Sequence, residues 1–183
     1  MEELTSKTFW EDASKGGLAL GAVSIAYLLI GKFLDPDMGA RIGSLTYSLI
    51  TIVLWIVKFA GCIWLMKFFL EKFANKYQDS TRDDVFKEGC AIAFLSALIF
   101  SAFFYIYATF INPDMFSQAI EQAMSTYSAM LDSNSMEAME SMFEKLPMIT
   151  AVTNLIYCTI FGMVVSSICS RSLVSDDPFR EIE

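Results

Sequence analysis

The sequence predicts an all-α, polytopic membrane protein with four transmembrane helices, arranged as a tandem repeat of two helical hairpins. An external amphipathic helical hairpin is expected between the third and fourth helices. Three observations lead to this prediction: four long apolar segments, an internal sequence repeat, and a polar insertion that separates the last two segments. We expect residues 1–183 to form a single integral membrane domain.

Each of the four apolar segments is long enough to cross a lipid bilayer. No charged residue occurs in 16–30, 89–111 or 147–170, and the remaining segment, 44–66, has a single charge, Lys58. A transmembrane helix needs about 20 mainly apolar residues to cover about 30 Å of hydrocarbon. The first segment reaches this length together with the residues that follow it, so the sequence predicts four spans.

The internal repeat relates the first two spans to the last two. The stretch Lys15–Ser24 recurs as Lys87–Ser96, and the apolar run after each stretch ends in a similar motif, Phe33–Met38 and Phe110–Met115. Such self-similarity indicates that a structural unit has been duplicated, which here is a hairpin of two spans. The expected boundaries are about 9–70 for the first copy and about 82–172 for the second, which contains an external helical insertion at 113–146.

The first hairpin is expected to begin with a short helix at the membrane surface. Residues 4–15 include Phe9 and Trp10, and such aromatic residues are typical of the interface between lipid and water. In the first span, Gly17 and Gly21 form a GxxxG step, which allows another helix to approach closely. The sequence Asp-Pro-Asp at 35–37 then ends the span in an external turn.

The second span is expected to continue beyond the bilayer as an amphipathic extension. Four aromatic residues recur there at helical spacing among charged residues, namely Phe68, Phe69, Phe73 and Tyr77. Thr81 and Asp84 have the spacing of a capping box, in which each residue caps the backbone of the other. The helix of the third span is therefore expected to begin at this point.

The insertion at 113–146 has the pattern of two short amphipathic helices. Asn112 and Pro113 are typical of a helix start, and Pro147 is expected to start the fourth span. Two apolar stripes, separated by Asp132-Ser133-Asn134, are formed by Phe116, Ile120, Ala123, Tyr127 and Met130, and by Met136, Met139, Met142, Phe143 and Leu146. We expect the helices to lie on the outer surface or to pack as a hairpin over the ends of the spans.

The distribution of positive charge predicts the orientation. Nine lysines and arginines lie on the side of both termini, and three lie on the other side. The nine are Lys7, Lys15, Lys67, Lys72, Lys76, Arg82, Lys87, Arg171 and Arg180, and the three are Lys32, Arg41 and Lys145. Because positively charged loops stay in the cytoplasm, both termini are expected there. The first 15 residues hold four acidic residues and no cleavage motif follows, so the first span is expected to remain as an anchor.

Lys58 is the most unusual residue of the spans, since no Asp or Glu occurs in any span to pair with it. A charge at the centre of a bilayer costs about 2.5–3.5 kcal/mol, so such residues usually face the protein interior. The alternative is that the side chain extends to the cytoplasmic surface. Alignment of the repeats places Ser24, Ser96, Asn154 and Tyr157 near the same depth. We predict that these residues and Lys58 form an intramembrane polar layer, which either binds a lipid phosphate or carboxylate or satisfies itself internally.

The cysteines and methionines give no clear metal or disulfide pattern. The chain has no histidine, and none of its four cysteines falls in an external loop, so we expect no disulfide, no metal site and no cofactor. Met136, Met139 and Met142 would place three thioethers on one helix face, as a copper(I) site requires. The same spacing serves an apolar stripe, which is the interpretation that the absence of histidine favours.

No sequence pattern of an enzyme occurs in the chain. It contains no GxSxG nucleophile motif, no phosphate-binding loop and no GxGxxG motif, so we expect no catalytic residues. The net charge of −8 and the absence of a basic stripe disfavour binding to nucleic acid.

The chain resembles a family of small membrane proteins. Phe9-Trp10 followed by Ala13, Gly17 and Gly21, the four-span layout and the long acidic loop before the last span are similar to the domain-of-unknown-function family 4199 of Bacteroidetes-type bacteria. The resemblance covers essentially the whole chain and rests on packing motifs, so it supplies no functional residues. It implies a multi-pass protein of the bacterial inner membrane. Such proteins are often encoded beside a membrane-associated glycosyltransferase, which implies a partner of that kind.

Two classes of function follow for a protein that is embedded in the lipid bilayer. The sequence favours an accessory or scaffold subunit that binds another membrane protein, such as a lipid-linked glycosyltransferase. The partner is expected to be such a protein or a second copy of the chain in a homo-oligomer. The GxxxG step, the amphipathic extension and the lack of catalytic groups support this role. The alternative is a small transporter or lipid-binding membrane protein that uses the polar layer around Lys58. The duplication supports the alternative, although the copies run parallel, unlike the inverted repeats of many transporters.

Overall fold

The computed structural model describes residues 5–33, 44–77, 80–127 and 133–173, which form helices and their connections. The α-helices are α1 (Ser6–Phe33), α2 (Ser44–Lys76), α3 (Arg82–Ile106), α4 (Ser117–Tyr127), α5 (Ser133–Glu144) and α6 (Leu146–Leu173). A π-helical turn at Tyr107–Ile111 continues α3, and a 3₁₀ turn at Pro113–Phe116 leads into α4. The predicted turn at 35–37 and the beginning of the predicted break at 132–134 lie outside the described residues.

Four of these helices are long and apolar enough to cross a membrane, in agreement with the four predicted spans. The qualifying segments are Ser6–Gly31, Leu45–Lys76, Arg82–Ile111 and Leu146–Leu173. The protein is therefore a multi-pass, all-helical membrane protein. The helices α4 and α5 lie in the predicted insertion between the last two spans. Their pairing as a hairpin and the duplication of the spans stay predictions.

The structure changes two details of the predicted helix starts. From Ser6 onwards, the expected surface helix at 4–15 is part of α1, which continues without a break into the first span, since no proline interrupts it. Phe9 packs with its ring edge on Phe73 of α2, at 6.3 Å between ring centres, whereas Trp10 is exposed. Before α4, Pro113 begins the 3₁₀ turn as expected, but the side chain of Asn112 makes no capping hydrogen bond.

The central helix of the bundle is α3, which packs along α1 on one side and α6 on the other. Glycine residues permit both contacts. A Cβ atom on Gly17 of α1 would lie 2.7 Å from Cβ of Leu95, and one on Gly89 of α3 would collide with Ser166 of α6. Small residues at helix crossings are the usual means of close packing in membranes, where hydrophobicity does not drive helices together.

The main core lies where α1 and α3 begin and α2 and α6 end, which we call the N-terminal end of the bundle. Its buried apolar residues are Ala13, Leu20, Met66, Leu70, Phe73, Tyr77, Val85, Ile92, Ala93 and Cys169. A smaller cluster lies towards the opposite end, which we call the loop end. Its described members are Leu28 of α1, Phe104 of α3, Ala108 of the π-helical turn, Phe116 of the 3₁₀ turn and Ala151 of α6. Helix α2 thus packs through its second half, whereas Leu45 and Leu49 in its first half are strongly exposed.

The predicted capping box is present at the start of α3. The backbone N–H of Asp84 donates to Oγ1 of Thr81 at 3.3 Å, and the backbone N–H of Thr81 donates to Oδ2 of Asp84 at 3.1 Å. The residues of the predicted amphipathic extension form the last turns of α2, which ends at Lys76, and continue to Tyr77, whereas their position beyond the bilayer stays a prediction. Its residues Phe73 and Tyr77 are buried against the bundle, so this face belongs to the core.

Replacing Thr81 with alanine is expected to destabilise the protein by about 1 kcal/mol, because the first turn of α3 loses its side-chain acceptor. The measurement is thermal unfolding of the purified protein in a mild detergent. Thr51→Ala is the matched control, since the Thr51 hydroxyl donates only to the Tyr47 carbonyl within an exposed part of α2. Equal losses of stability in both variants would contradict a specific role for the cap.

Candidate functional site

A cavity of about 80 Å³ lies between the four long helices, and each of these helices contributes to its wall. The wall is mostly apolar and partly open to the surroundings. Its side chains that carry polar or thiol groups are Ser24 of α1, Lys58 and Cys62 of α2, Ser96 of α3, and Tyr157 and Cys158 of α6. Mainly apolar walls with a few convergent polar groups are typical of ligand sites.

Four of the five residues of the predicted polar layer line this cavity, namely Lys58, Ser24, Ser96 and Tyr157. The fifth residue, Asn154, is not among the lining residues. It precedes Tyr157 by about one turn of α6, on the side of the loop end. The structure therefore brings four of the residues together, and a role for them in binding stays a prediction.

The Lys58 side chain points into the space between the helices. Its ammonium nitrogen lies 4.8 Å from the ring centre of Tyr27 on α1, 5.3 Å from that of Phe100 on α3 and 5.9 Å from that of Phe59 on α2. Tyr27 and Phe100 lie about one turn nearer the loop end than the two cavity serines. The side chain thus lies among aromatic rings of α1, α2 and α3, and the alternative of reaching the cytoplasmic surface stays a prediction.

The cavity presents a positive charge without a carboxylate beside it. Among the described residues that form its wall, none is Asp or Glu. A cation over an aromatic ring gains about 0.5–2 kcal/mol, which offsets only part of the cost of removing an ammonium from water. Ser96 already donates its hydroxyl proton to the Ala93 carbonyl at 3.0 Å. The group best placed to attract a ligand is therefore the Lys58 ammonium, and the ligand it favours is an anion.

Sequence reasoning missed the aromatic rings around Lys58 and the two thiols of the cavity. Tyr27 follows Ser24 by three residues, and Phe100 follows Ser96 by four. The alignment that places the two serines at one depth could therefore have placed these two rings near Lys58 as well. Cys62 and Cys158 come from different spans, and no sequence pattern connects them. Their placement in one wall depends on how α2 and α6 face each other.

The predicted packing glycines lie at the contact between α1 and α3. A Cβ atom on Gly17 would lie 2.7 Å from Leu95, and one on Gly21 would lie 3.0 Å from Ile99. The GxxxG step is therefore occupied by a helix of the same chain. This contact removes one argument for a partner protein at that position.

The methionine series lies on α5, away from the cavity wall. Met142 is exposed and Met139 is partly buried, whereas the side chain of Met136 lies outside the described part of the structure. Among the described residues, no cluster of three or more His, Cys, Asp or Glu side chains could hold a metal ion. The interpretation of Met136, Met139 and Met142 as an apolar stripe, in preference to a copper(I) site, stays a prediction.

Comparison with known proteins identifies the family. The family model described as "Protein of unknown function (DUF4199)" matches residues 15–171, which include the four apolar segments and the whole cavity wall. No curated protein and no solved structure matches the chain. The resemblance seen in the sequence is thus confirmed, and the chain belongs to the DUF4199 family.

Proposed function

We propose that the protein binds the anionic headgroup of a lipid or another amphiphile in the cavity around Lys58. The observation that carries this proposal is the position of the Lys58 ammonium, which lies between the helices over three aromatic rings and beside no acidic wall residue. A charged group in an apolar environment is stabilised by a counter-charge. A carboxylate or phosphate headgroup supplies that counter-charge.

The size of the cavity supports a headgroup as the bound group. A cavity volume of about 10–15 Å³ is enough for one water molecule, so about 80 Å³ accommodates a group of several non-hydrogen atoms. A carboxylate or phosphate group fits this space. The hydrocarbon chain would extend out of the cavity, which is partly open to its surroundings.

An accessory role is the second candidate. The exposed apolar surface of α2, which includes Trp55 and Trp64, and the amphipathic helices α4 and α5 offer surfaces for another membrane protein. In this proposal the protein is a subunit that serves a lipid-linked glycosyltransferase in the bacterial inner membrane, with both termini in the cytoplasm. Lipid alone also covers an apolar helix surface in a bilayer, so the position of Lys58 is the stronger argument.

Native mass spectrometry of the protein, purified from its own membranes in a mild detergent, separates the two proposals. Headgroup binding predicts a one-to-one adduct whose mass is that of an anionic lipid or amphiphile. The accessory role predicts a second polypeptide at fixed stoichiometry. Protein that carries lipids in the same proportions as the bulk membrane, without enrichment of anionic species, would rule out the headgroup site.

A further inference from the structure

A buried acidic residue lies at the N-terminal end of the bundle, separate from the Lys58 cavity. Glu88 of α3 is only 1% exposed, and its Oε2 atom has no hydrogen-bond partner in the described structure. Glu88 lines a cavity of about 30 Å³ at the point where α1, α2 and α3 meet. The other charged residues of this wall are Asp12 and Lys15 of α1 and Lys72 and Lys76 of α2.

Two of the lysines in this wall are engaged by carboxylates other than Glu88. The Lys76 ammonium donates to Oδ2 of Asp12 at 2.8 Å, and the Tyr77 hydroxyl donates to the same oxygen at 3.0 Å. The Lys15 ammonium donates to Glu11 at 2.8 Å. The two contacts of Asp12 join α1 to the end of α2, and none of the three contacts supplies a donor to Oε2 of Glu88.

A buried carboxylate requires a positive charge or a proton, because removal of its hydration is otherwise uncompensated. A volume of about 30 Å³ is enough for a monatomic ion or a small number of water molecules. A Ca²⁺ ion would require six to eight oxygen ligands, and Mg²⁺ would require a nearly ideal octahedral set. Two carboxylates, one of them already bound to Lys76, match a single positive charge better.

We propose that Glu88, with Asp12 beside it, forms a binding site for a monovalent cation, either a proton or Na⁺. Occupancy neutralises Glu88 and relieves its repulsion from Asp12, so it stabilises the packing of α1, α2 and α3 at this end. Glu88 precedes Ser96 of the Lys58 cavity by eight residues on α3, or about 12 Å along the helix. The proposed site is distinct from that cavity, and its test does not depend on headgroup binding.

Thermal unfolding of the full-length protein in lipid nanodiscs tests the proposal in two titrations. In the first, NaCl replaces choline chloride at constant ionic strength and pH. A sodium site predicts that the unfolding temperature of the wild type rises with Na⁺ and that the rise is lost in Glu88→Gln. In the second, the pH rises from about 6 to about 9 without Na⁺. A proton site predicts that the wild type loses stability, because the folded protein holds a proton that the unfolded chain releases.

Infrared spectroscopy identifies the proton directly. A proton site predicts a C=O stretching band of a neutral carboxylic acid, which disappears with the rise in pH and is absent from Glu88→Gln. Glu71→Gln is the matched control, since Glu71 lies in an exposed ion pair with Lys67 at 3.4 Å. This control is expected to keep the Na⁺ or pH response of the wild type.

Two results would overturn the proposal. One is a wild-type protein whose stability responds to neither titration, a result that does not require Glu88→Gln to fold. The other is that Lys72→Met and Glu88→Gln each destabilise the protein by the same amount, and that the double variant is no less stable than either single variant. Lys72 would then supply the positive charge itself, and no cation would be bound.

Discussion

Replacing Gly89 with alanine is expected to weaken the contact between α3 and α6 and to destabilise the protein by about 1–3 kcal/mol. The added Cβ atom would collide with the side chain of Ser166. Ser166 is fully buried and donates to the Phe86 carbonyl of α3 at 3.1 Å, so it cannot move aside without losing that bond. The two helices must therefore separate locally or the hydrogen bond must break.

Thermal unfolding in a mild detergent measures this effect, with Gly61→Ala of α2 as the matched control. A Cβ atom on Gly61 would meet nothing within 4 Å. Since alanine favours a helix over glycine by up to about 1 kcal/mol, the control is expected to be unchanged or slightly more stable. Ser166→Gly in the Gly89→Ala background should recover part of the loss, because it removes the obstructing side chain. Equal unfolding temperatures for Gly89→Ala and Gly61→Ala would contradict the close contact.

Replacing Lys58 with methionine is expected to lower the affinity for an anionic headgroup about 10- to 100-fold. A hydrogen bond to a charged group contributes about 1.5–3 kcal/mol, and each 1.4 kcal/mol changes an equilibrium constant tenfold. Methionine is unbranched and apolar, so it can keep the contacts with the rings of Tyr27 and Phe100. The ligand-free variant should be at least as stable as the wild type, because an unpaired charge has been removed from the membrane interior.

The measurement is a binding titration with oleate, followed by native mass spectrometry, with uncharged oleyl alcohol as the reference ligand. Lys67→Met is the control, since Lys67 is exposed and paired with Glu71 at 3.4 Å. This control should bind oleate as the wild type does. The headgroup site would be excluded if Lys58→Met retained full affinity for oleate or if oleyl alcohol competed equally well.

The sequence predicted the features that depend on neighbouring residues. The four spans follow from the length of the apolar segments, and the helix start at Thr81 follows from a capping pair only three residues apart. Helix formation in the insertion was equally visible in its periodic apolar residues. In each case the interactions form within one segment, so the local sequence is sufficient.

Part of the candidate site could also be predicted. Charge counting singled out Lys58, because a lone ammonium in an apolar segment is unfavourable wherever the helix lies. Alignment of the repeats then selected Ser24, Ser96 and Tyr157, which line the same cavity as Lys58. The alignment gives depth in the membrane but not direction around each helix, and Asn154 was therefore included although it does not line the cavity.

By itself, the sequence determined that this protein crosses the membrane in four helices and that its four apolar segments carry a single charge, Lys58. Only the tertiary structure decided that Gly17 and Gly21 contact α3, that Lys58 lies against aromatic rings, and that Glu88 is buried beside Asp12. The physical reason is that these features depend on the rotation and crossing of separate helices. Those are fixed by side-chain packing between residues far apart in the chain, which no local pattern records.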